Sequence, residues 1–394
     1  YQLAQSVRAA RKTNAESALA NSFEQLVDLK SRDNLDANDQ GVVQIVDWLW
    51  QYAFDQRASD IHLEPRRDTG AIRFRIDGVL HTVHRVPAPV MGAMTARIKL
   101  LGRMDVIEKR RPQDGRIKTR RPEGLAGGGE VEMRLSTLPT AFGEKVVMRI
   151  FDPGTADKPF DALGFSPDEA RRWNTLINQP HGIILVTGPT GSGKTTTLYS
   201  TLKKLATEEV NVCTVEDPIE MIEPAFNQTQ VQPSVELNFA EGLRALMRQD
   251  PDIIMVGEIR DRETAEIAVQ ASLTGHLVMT SLHATDATSA LYRFIDMGIE
   301  PFMVSSSLLC VCAQRLMRRV CKTCRVPHQP EGREKALLEK ALGWSGPVFR
   351  ANPKGCPKCG GGGYKGRVGI HELMVTNEEL VAAINAEAEA AARR

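Results

Sequence analysis

Between residues 42 and 53, the apolar positions Val42, Ile45, Val46, Leu49, Trp50 and Ala53 recur at helical spacing and predict one helix with a single buried face. The pattern then shifts to period two. Ser59-Asp-Ile-His-Leu-Glu64 and Ala71-Ile-Arg-Phe-Arg-Ile76 alternate as strands do, and Asp77-Gly78 predicts the hairpin that follows. Residues 131–137 and 145–151 add two further strand-like stretches, so residues 41–152 read as an N-terminal α+β domain. Residues 1–40 are polar, mixed in charge and helix-compatible, and their end, 31–40, reads as a linker.

After a linker and helix over 153–180 the apolar runs become short and continuous: 182–187, 210–215, 252–256 and 276–281. Runs of that kind suit a parallel sheet covered on both faces, which sets a nucleotide-type α/β domain at 181–320. A cysteine-bearing subdomain at 321–360 and a C-terminal segment at 361–394 follow, with Gly360–Gly363 as a turn between them. No apolar run approaches the roughly 18 residues that a membrane-spanning helix needs, and the uncharged candidate 301–314 is too short and contains three serines. A chain that starts at Tyr1 is read as a piece from which the natural N-terminus is missing.

Gly188-Pro-Thr-Gly-Ser-Gly193-Lys194-Thr195 matches the phosphate-binding pattern GxxxxGK[ST] between a predicted buried strand and a predicted helix. Its glycines let the loop curl until backbone N–H groups converge on a phosphate, and the following helix N-terminus adds positive potential. The nucleotide-binding set is therefore Gly188, Pro189, Thr190, Gly191, Ser192, Gly193, Lys194, Thr195 and Thr196. Lys194 is expected on the β- and γ-phosphates and the Thr195 hydroxyl on Mg²⁺. No Asn-Lys-x-Asp guanine motif is present, which favours ATP.

Glu258 ends the run at 252–256 with one glycine between, where P-loop enzymes place the carboxylate that activates water. Gly257 stands where the usual pattern has an aspartate. Glu216, Asp217 and Glu220 end another run, a grouping that also suits a solvated turn. His276 and His283 flank one predicted strand at a spacing of seven, so at most one faces a phosphate from it. Cys321, Cys324, Cys356 and Cys359 form two Cys-x-x-Cys pairs 31 residues apart, a four-thiolate set suited to structural Zn²⁺, with the helix-like stretch 331–342 folding back between them. Cys213, Cys310 and Cys312 sit in apolar contexts as core residues, and this cysteine usage fits a reducing cytoplasm. A formal charge of +1 with 5% aromatic residues argues against a nucleic-acid motor.

The chain also resembles the bacterial secretion ATPases, which comprise type II secretion ATPases and type IV pilus assembly and retraction ATPases. The likeness lies in the phosphate loop, the acidic stretch 214–220, Arg248-Gln-Asp-Pro-Asp-Ile-Ile-Met-Val-Gly-Glu-Ile-Arg-Asp261 and Thr274-Gly-His-Leu-Val-Met-Thr-Ser-Leu-His283, and upstream in 58–64, 73–78 and 111–116. It implies a RecA-like domain, a smaller PAS-like N-terminal domain and a four-cysteine zinc subdomain. It further implies a homo-hexameric motor, cytoplasmic and peripheral to the inner membrane. Contact with the membrane would run only through the cytoplasmic domains of inner-membrane secretion or pilus platform proteins. Glu258 becomes the catalytic carboxylate, Glu216 its support, His283 and His276 phosphate sensors, and Arg134 and Arg149 arginines donated to the phosphates by the smaller domain. The histidine-box wording and the cysteine pairs look most like the type II secretion branch, with pilus assembly as the alternative. A nucleotide-gated assembly with incidental turnover is the rival from another class, and Glu258 argues against it.

Overall fold

The structure, a computed structural model, describes residues 35–120, 130–151 and 158–392, and the chain divides into two units, 1–152 and 153–394. The predicted N-terminal segment up to residue 34 and the stretch 152–157 lie outside the described residues.

In the first unit, helix α1 (Gln40–Asp55) leads into β1 (Asp60–Pro65), β2 (Thr69–Ile76), β3 (Val79–Pro87), α2 (Ala88–Leu101), β4 (Gln113–Arg120), β5 (Glu130–Thr140) and β6 (Gly143–Phe151). The strands form one antiparallel sheet in the order β3-β2-β1-β6-β5-β4. Asp77 and Gly78 both take positive φ, 50° and 87°, as a two-residue primed hairpin turn demands. Ile61, Leu63, Ile72 and Phe74 point to the face covered by Val46, Leu49, Met94 and Ile98 of the two helices. β4 escaped the pattern reading because it is an edge strand whose only buried residue is Ile117.

In the second unit, β7 (Gly182–Thr187), β8 (Val212–Glu216), β9 (Asn227–Gln230), β10 (Ile253–Val256), β11 (Leu277–Leu282), β12 (Leu308–Val320) and, after the short pair β13 (Val326–His328) and β14 (Val348–Arg350), β15 (Tyr364–Val375) follow in turn. All but β13 and β14 form one sheet ordered β15-β12-β7-β11-β10-β8-β9. Its pairs are parallel except β12 with β15. Along β7, Ile183 and Leu185 enter one core while Ile184 and Val186 enter the other, which is why the run is apolar throughout from Ile183 to Val186. The first core is closed by helices that include α5 (Phe239–Leu246) and α6 (Arg262–Leu273), the second by α3 (Pro167–Ile177) and α4 (Lys194–Leu205).

Two features differ from the pattern reading. The uncharged stretch 301–314 is a helix (Pro301–Ser307) followed at once by β12, whose 13 residues make it the longest of the described strands. Residues 364–375 of the C-terminal segment join the main sheet as its antiparallel edge, and Ile384 beyond them is buried in its core. Only Gly369 of that strand is fully buried, so its apolar signal was too weak to read.

Candidate functional site

Residues 188–193 join the C-terminal end of β7 to the start of α4, with Gly188, Gly191 and Gly193 at φ of 142°, 78° and 91°. These values leave little choice of residue. A side chain on Gly188 would also strike the Gln314 carbonyl oxygen at 2.3 Å. Lys194 Nζ donates to the Gly188 carbonyl at 2.8 Å and to that of Pro189 at 3.3 Å, bending back over the loop. Burial lowers the pKa of Lys194, and the negative charge of Glu258 opposes that shift. Thr195 and Thr196 occupy the first turn of α4, half-buried beside the loop.

Glu258 follows β10, adjacent in the sheet to β11, the neighbour of β7. Its side chain is 17% exposed and takes Arg260 on one carboxylate oxygen, while His283 Nε2 lies 3.5 Å from the other. Ser281 Oγ donates to the Gly257 carbonyl at 2.7 Å, and Arg293 donates to the His283 carbonyl at 2.7 Å, so both ends of this contact are held. The fold therefore gathers the phosphate loop, Lys194, Glu258 and His283 at the C-terminal edge of one parallel sheet, where such folds bind ligands.

His276 does not join them. It precedes β11, whose Leu277 pairs with Gly182 at the far end of the sheet from Thr187, and its Nδ1 contacts the Ala271 carbonyl at 2.9 Å. Six residues of strand, roughly 20 Å at about 3.3 Å each, separate it from the loop. The histidine flanking the strand on its other side is the one that reaches Glu258.

Glu216 is also withdrawn from the open edge. It is buried on β8, accepting from Tyr199 Oη at 2.6 Å and Thr214 Oγ1 at 2.7 Å, with Gln228 Nε2 at 3.2 Å. Burial, and then the Glu216 charge, push the Tyr199 phenol pKa up. The network ties α4, which carries Lys194 and Thr195, to β8. Tyr199 and Gln228 carry no motif of their own and went unnoticed in the sequence. Asp217, one residue on, lies 3.9 Å from Arg260.

Arg134 and Arg149 belong to the first unit, and the sheet register sets them directly opposite one another on β5 and β6. The same register continues the row: Arg116 faces Arg134, Asp60 faces Arg149, and Arg75 faces Asp60. Arg149 Nε donates to Asp60 Oδ1 at 3.1 Å, and the Arg134 guanidinium lies over the Phe151 ring at 4.3 Å. Arg75 and Arg116 entered the row only through strand pairing, which a linear reading does not contain.

The four cysteine sulfurs all lie within 4.8 Å of one another, with Cys321–Cys356 at 3.9 Å and Cys324–Cys359 at 3.8 Å. A tetrahedral ion with Zn–S bonds of about 2.3 Å requires sulfurs ~3.8 Å apart, so these thiols fit Zn²⁺ and leave no position for a substrate. The pairing of β13 with β14 brings the two turns together across the 31-residue separation. The intervening stretch is helical, as Gly332–Ala336 continued by Leu337–Ala341.

The family described as "Type II/IV secretion system protein" matches residues 36–394. The "Type IV pilus assembly ATPase TfpB" of Acinetobacter baylyi is 53% identical over 388 residues, covering 98% of this chain and 66% of that protein. The "Type II secretion system ATPase E" of Vibrio cholerae is 47% identical over 360 residues, covering 91% of this chain and 70% of that protein. The chain thus spans about two thirds of the length of these relatives. Among solved structures, the pilus retraction motor PilT with bound ADP superposes with a TM-score of 0.57 at 25% identity, covering 87% of this chain and 86% of that one. Phosphate loop, Glu258 edge, cysteine cluster and these matches agree, and the chain belongs to the type II/IV secretion system protein family.

Proposed function

We propose that the chain is an ATP-hydrolysing motor subunit that drives assembly of a pilus-like fibre. The observation that carries this reading is the joint placement of the phosphate loop, Lys194 and the Glu258–His283 contact at one edge of a parallel sheet. Backbone N–H groups of 188–194 would hold the phosphates, and Lys194 would leave the Gly188 and Pro189 carbonyls for them. Glu258 would accept a proton from the attacking water, with Arg260 and His283 holding its carboxylate in place. Mg²⁺ supplies charge neutralisation on the phosphates; the Thr195 hydroxyl, an oxygen donor suited to a hard cation, would hold it.

The arginine row on the first unit supports a second contribution. Like charges directly opposite on neighbouring strands destabilise a sheet, and Arg116, Arg134 and Arg149 stand in such a line. A polyanion would relieve that repulsion, which favours delivery of these arginines to a nucleotide's phosphates in a homo-hexamer.

Two machines fit this motor. The type II secretion reading rests on the sequence motifs; the Acinetobacter baylyi pilus protein, 53% identical over 98% of this chain against 47% over 91% for the Vibrio cholerae secretion protein, favours pilus assembly. In either, the motor would act at the cytoplasmic face of the inner membrane through a platform protein. Among the described residues no helix is long and apolar enough to cross a membrane. Purified protein should hydrolyse ATP in the presence of Mg²⁺, and Lys194→Ala should abolish nucleotide binding or turnover; an inactive wild-type hexamer would end the motor reading. Deleting the gene then separates the machines: loss of surface fibres indicates pilus assembly, loss of exported enzymes with fibres intact indicates secretion.

A further inference from the structure

The amide of Gln314 lies directly beneath the phosphate loop, and no motif pointed to it. It is 3% exposed, on β12, 117 residues from one partner and 122 from the other. Nε2 donates to the Ser192 carbonyl at 3.0 Å, and Oε1 accepts from Thr197 Oγ1 at 2.8 Å. Its main chain also presses on the loop, since its carbonyl is the atom a side chain at Gly188 would strike, and its Nε2 lies 2.9 Å from where a Cβ on Gly193 would stand. One buried side chain therefore spans the loop's last turn and the first turn of α4.

We infer that Gln314 is a positioning residue that sets the direction of the Gly193 N–H toward the phosphates. A trans peptide holds its C=O and N–H pointing in opposite directions. By drawing the Ser192 carbonyl down to its own amide, Gln314 turns the N–H of the same peptide away from β12, toward the concave side of the loop. Without the Nε2 donor the buried carbonyl would be left unsatisfied or the peptide would turn to find another donor. A turned peptide presents oxygen, not N–H, to an anion, and repels the group that the loop exists to bind. The second bond, from Thr197, stops the Gln314 amide from rotating by half a turn and offering its oxygen to Ser192, because Oε1 is already engaged.

Thr197 and Gln314 thus form a two-bond clamp that fixes one polarity of the loop. The role deepens the nucleotide-binding reading of the same site and rests on it. It concerns the phosphates and not the base or sugar, so removing the clamp should weaken ATP and ADP alike while leaving the slope of affinity with base identity untouched.

Nucleotide affinity of the full chain, read with ADP and with ATP by equilibrium binding, tests this on two variants. Gln314→Met keeps the volume and loses both bonds. Gln314→Glu keeps the shape and the acceptor for Thr197 but turns the donor to Ser192 into an oxygen. Both are expected to raise Kd for ADP and ATP about tenfold or more, the size of one unsatisfied buried carbonyl. Amide hydrogen exchange at 188–194 should accelerate, with circular dichroism and the remaining amides as in wild type. A filler role would instead leave Gln314→Glu binding normally, and wild-type affinity in that variant overturns the inference. If Gln314→Met does not fold, Gln314→Glu decides alone. If wild type itself binds no nucleotide, it is the motor reading that fails, and the two failures are distinct.

Discussion

In the proposed mechanism the chemistry at Glu258 would depend on a single carboxylate, one of whose oxygens meets Arg260 while the other lies beside His283. A glutamine there keeps the shape and can still meet Arg260 through its carbonyl, but it cannot accept a proton. Glu258→Gln should therefore retain ATP affinity and lower kcat by at least about a hundredfold, the lower end of what a general base contributes. Steady-state hydrolysis beside equilibrium nucleotide binding measures the split, and a wild-type rate in this variant would remove Glu258 from the catalytic role. The position was legible because a carboxylate two residues past a buried strand is a local pattern. Its partner was legible only as a choice between two histidines. Strand polarity made that choice, since β11 carries His283 to the loop's end of the sheet and leaves His276 at the other.

At the scale of elements, the cysteine subdomain and the phosphate site share one strand. β12 runs from beside β7, past Gln314, and ends at Val320, one residue before Cys321. The backbone N–H of Cys321 bonds to the Gly363 carbonyl at 2.9 Å, and β15 begins at the next residue, so the thiolate site closes the end of the β12–β15 pair. Freshly purified protein should contain one Zn²⁺ per chain by elemental analysis, and protein without stoichiometric metal would remove the site. Stripping the metal with a chelator should lower Tm, because four thiols drawn to contact distance repel once ionised and hold no fold by themselves. Replacing Cys324 or Cys359 by serine should reproduce that loss and abolish stoichiometric metal binding. The four candidate ligands could be picked out from spacing alone. That the subdomain abuts the sheet holding the phosphate loop could not, because β15 alternates too weakly to be seen as a strand.

At the scale of the whole molecule, the phosphate loop belongs to one unit and the arginine row to the other. If Arg134 and Arg149 meet the phosphates during turnover, replacing either by alanine should slow hydrolysis far more than it weakens ATP binding; arginines delivered to a transferring phosphoryl group contribute about 10³–10⁵ in rate. A merely solvated arginine would cost at most a few tenths of a kcal/mol of stability and leave turnover intact. ATPase rates and affinities for Arg134→Ala and Arg149→Ala, on variants shown to fold and assemble, decide the matter. Near-normal rates in both would refute arginine delivery as part of the catalytic step.

What the sequence determined by itself is whatever depends on neighbours along the chain. The glycine spacing of 188–193, the doubly apolar runs of the parallel strands, the Asp77-Gly78 turn and the Cys-x-x-Cys pairs are all enforced within a few residues by backbone sterics, strand period or ligand reach. Tertiary structure alone decided what depends on register and polarity between distant segments: Gln314 under the loop, Glu216 locked to Tyr199, His276 removed from the site, and five charged side chains aligned across five strands. Such contacts arise from hydrogen-bond pairing between strands that are far apart in the chain, and a residue's own neighbours carry no trace of the partner it will face.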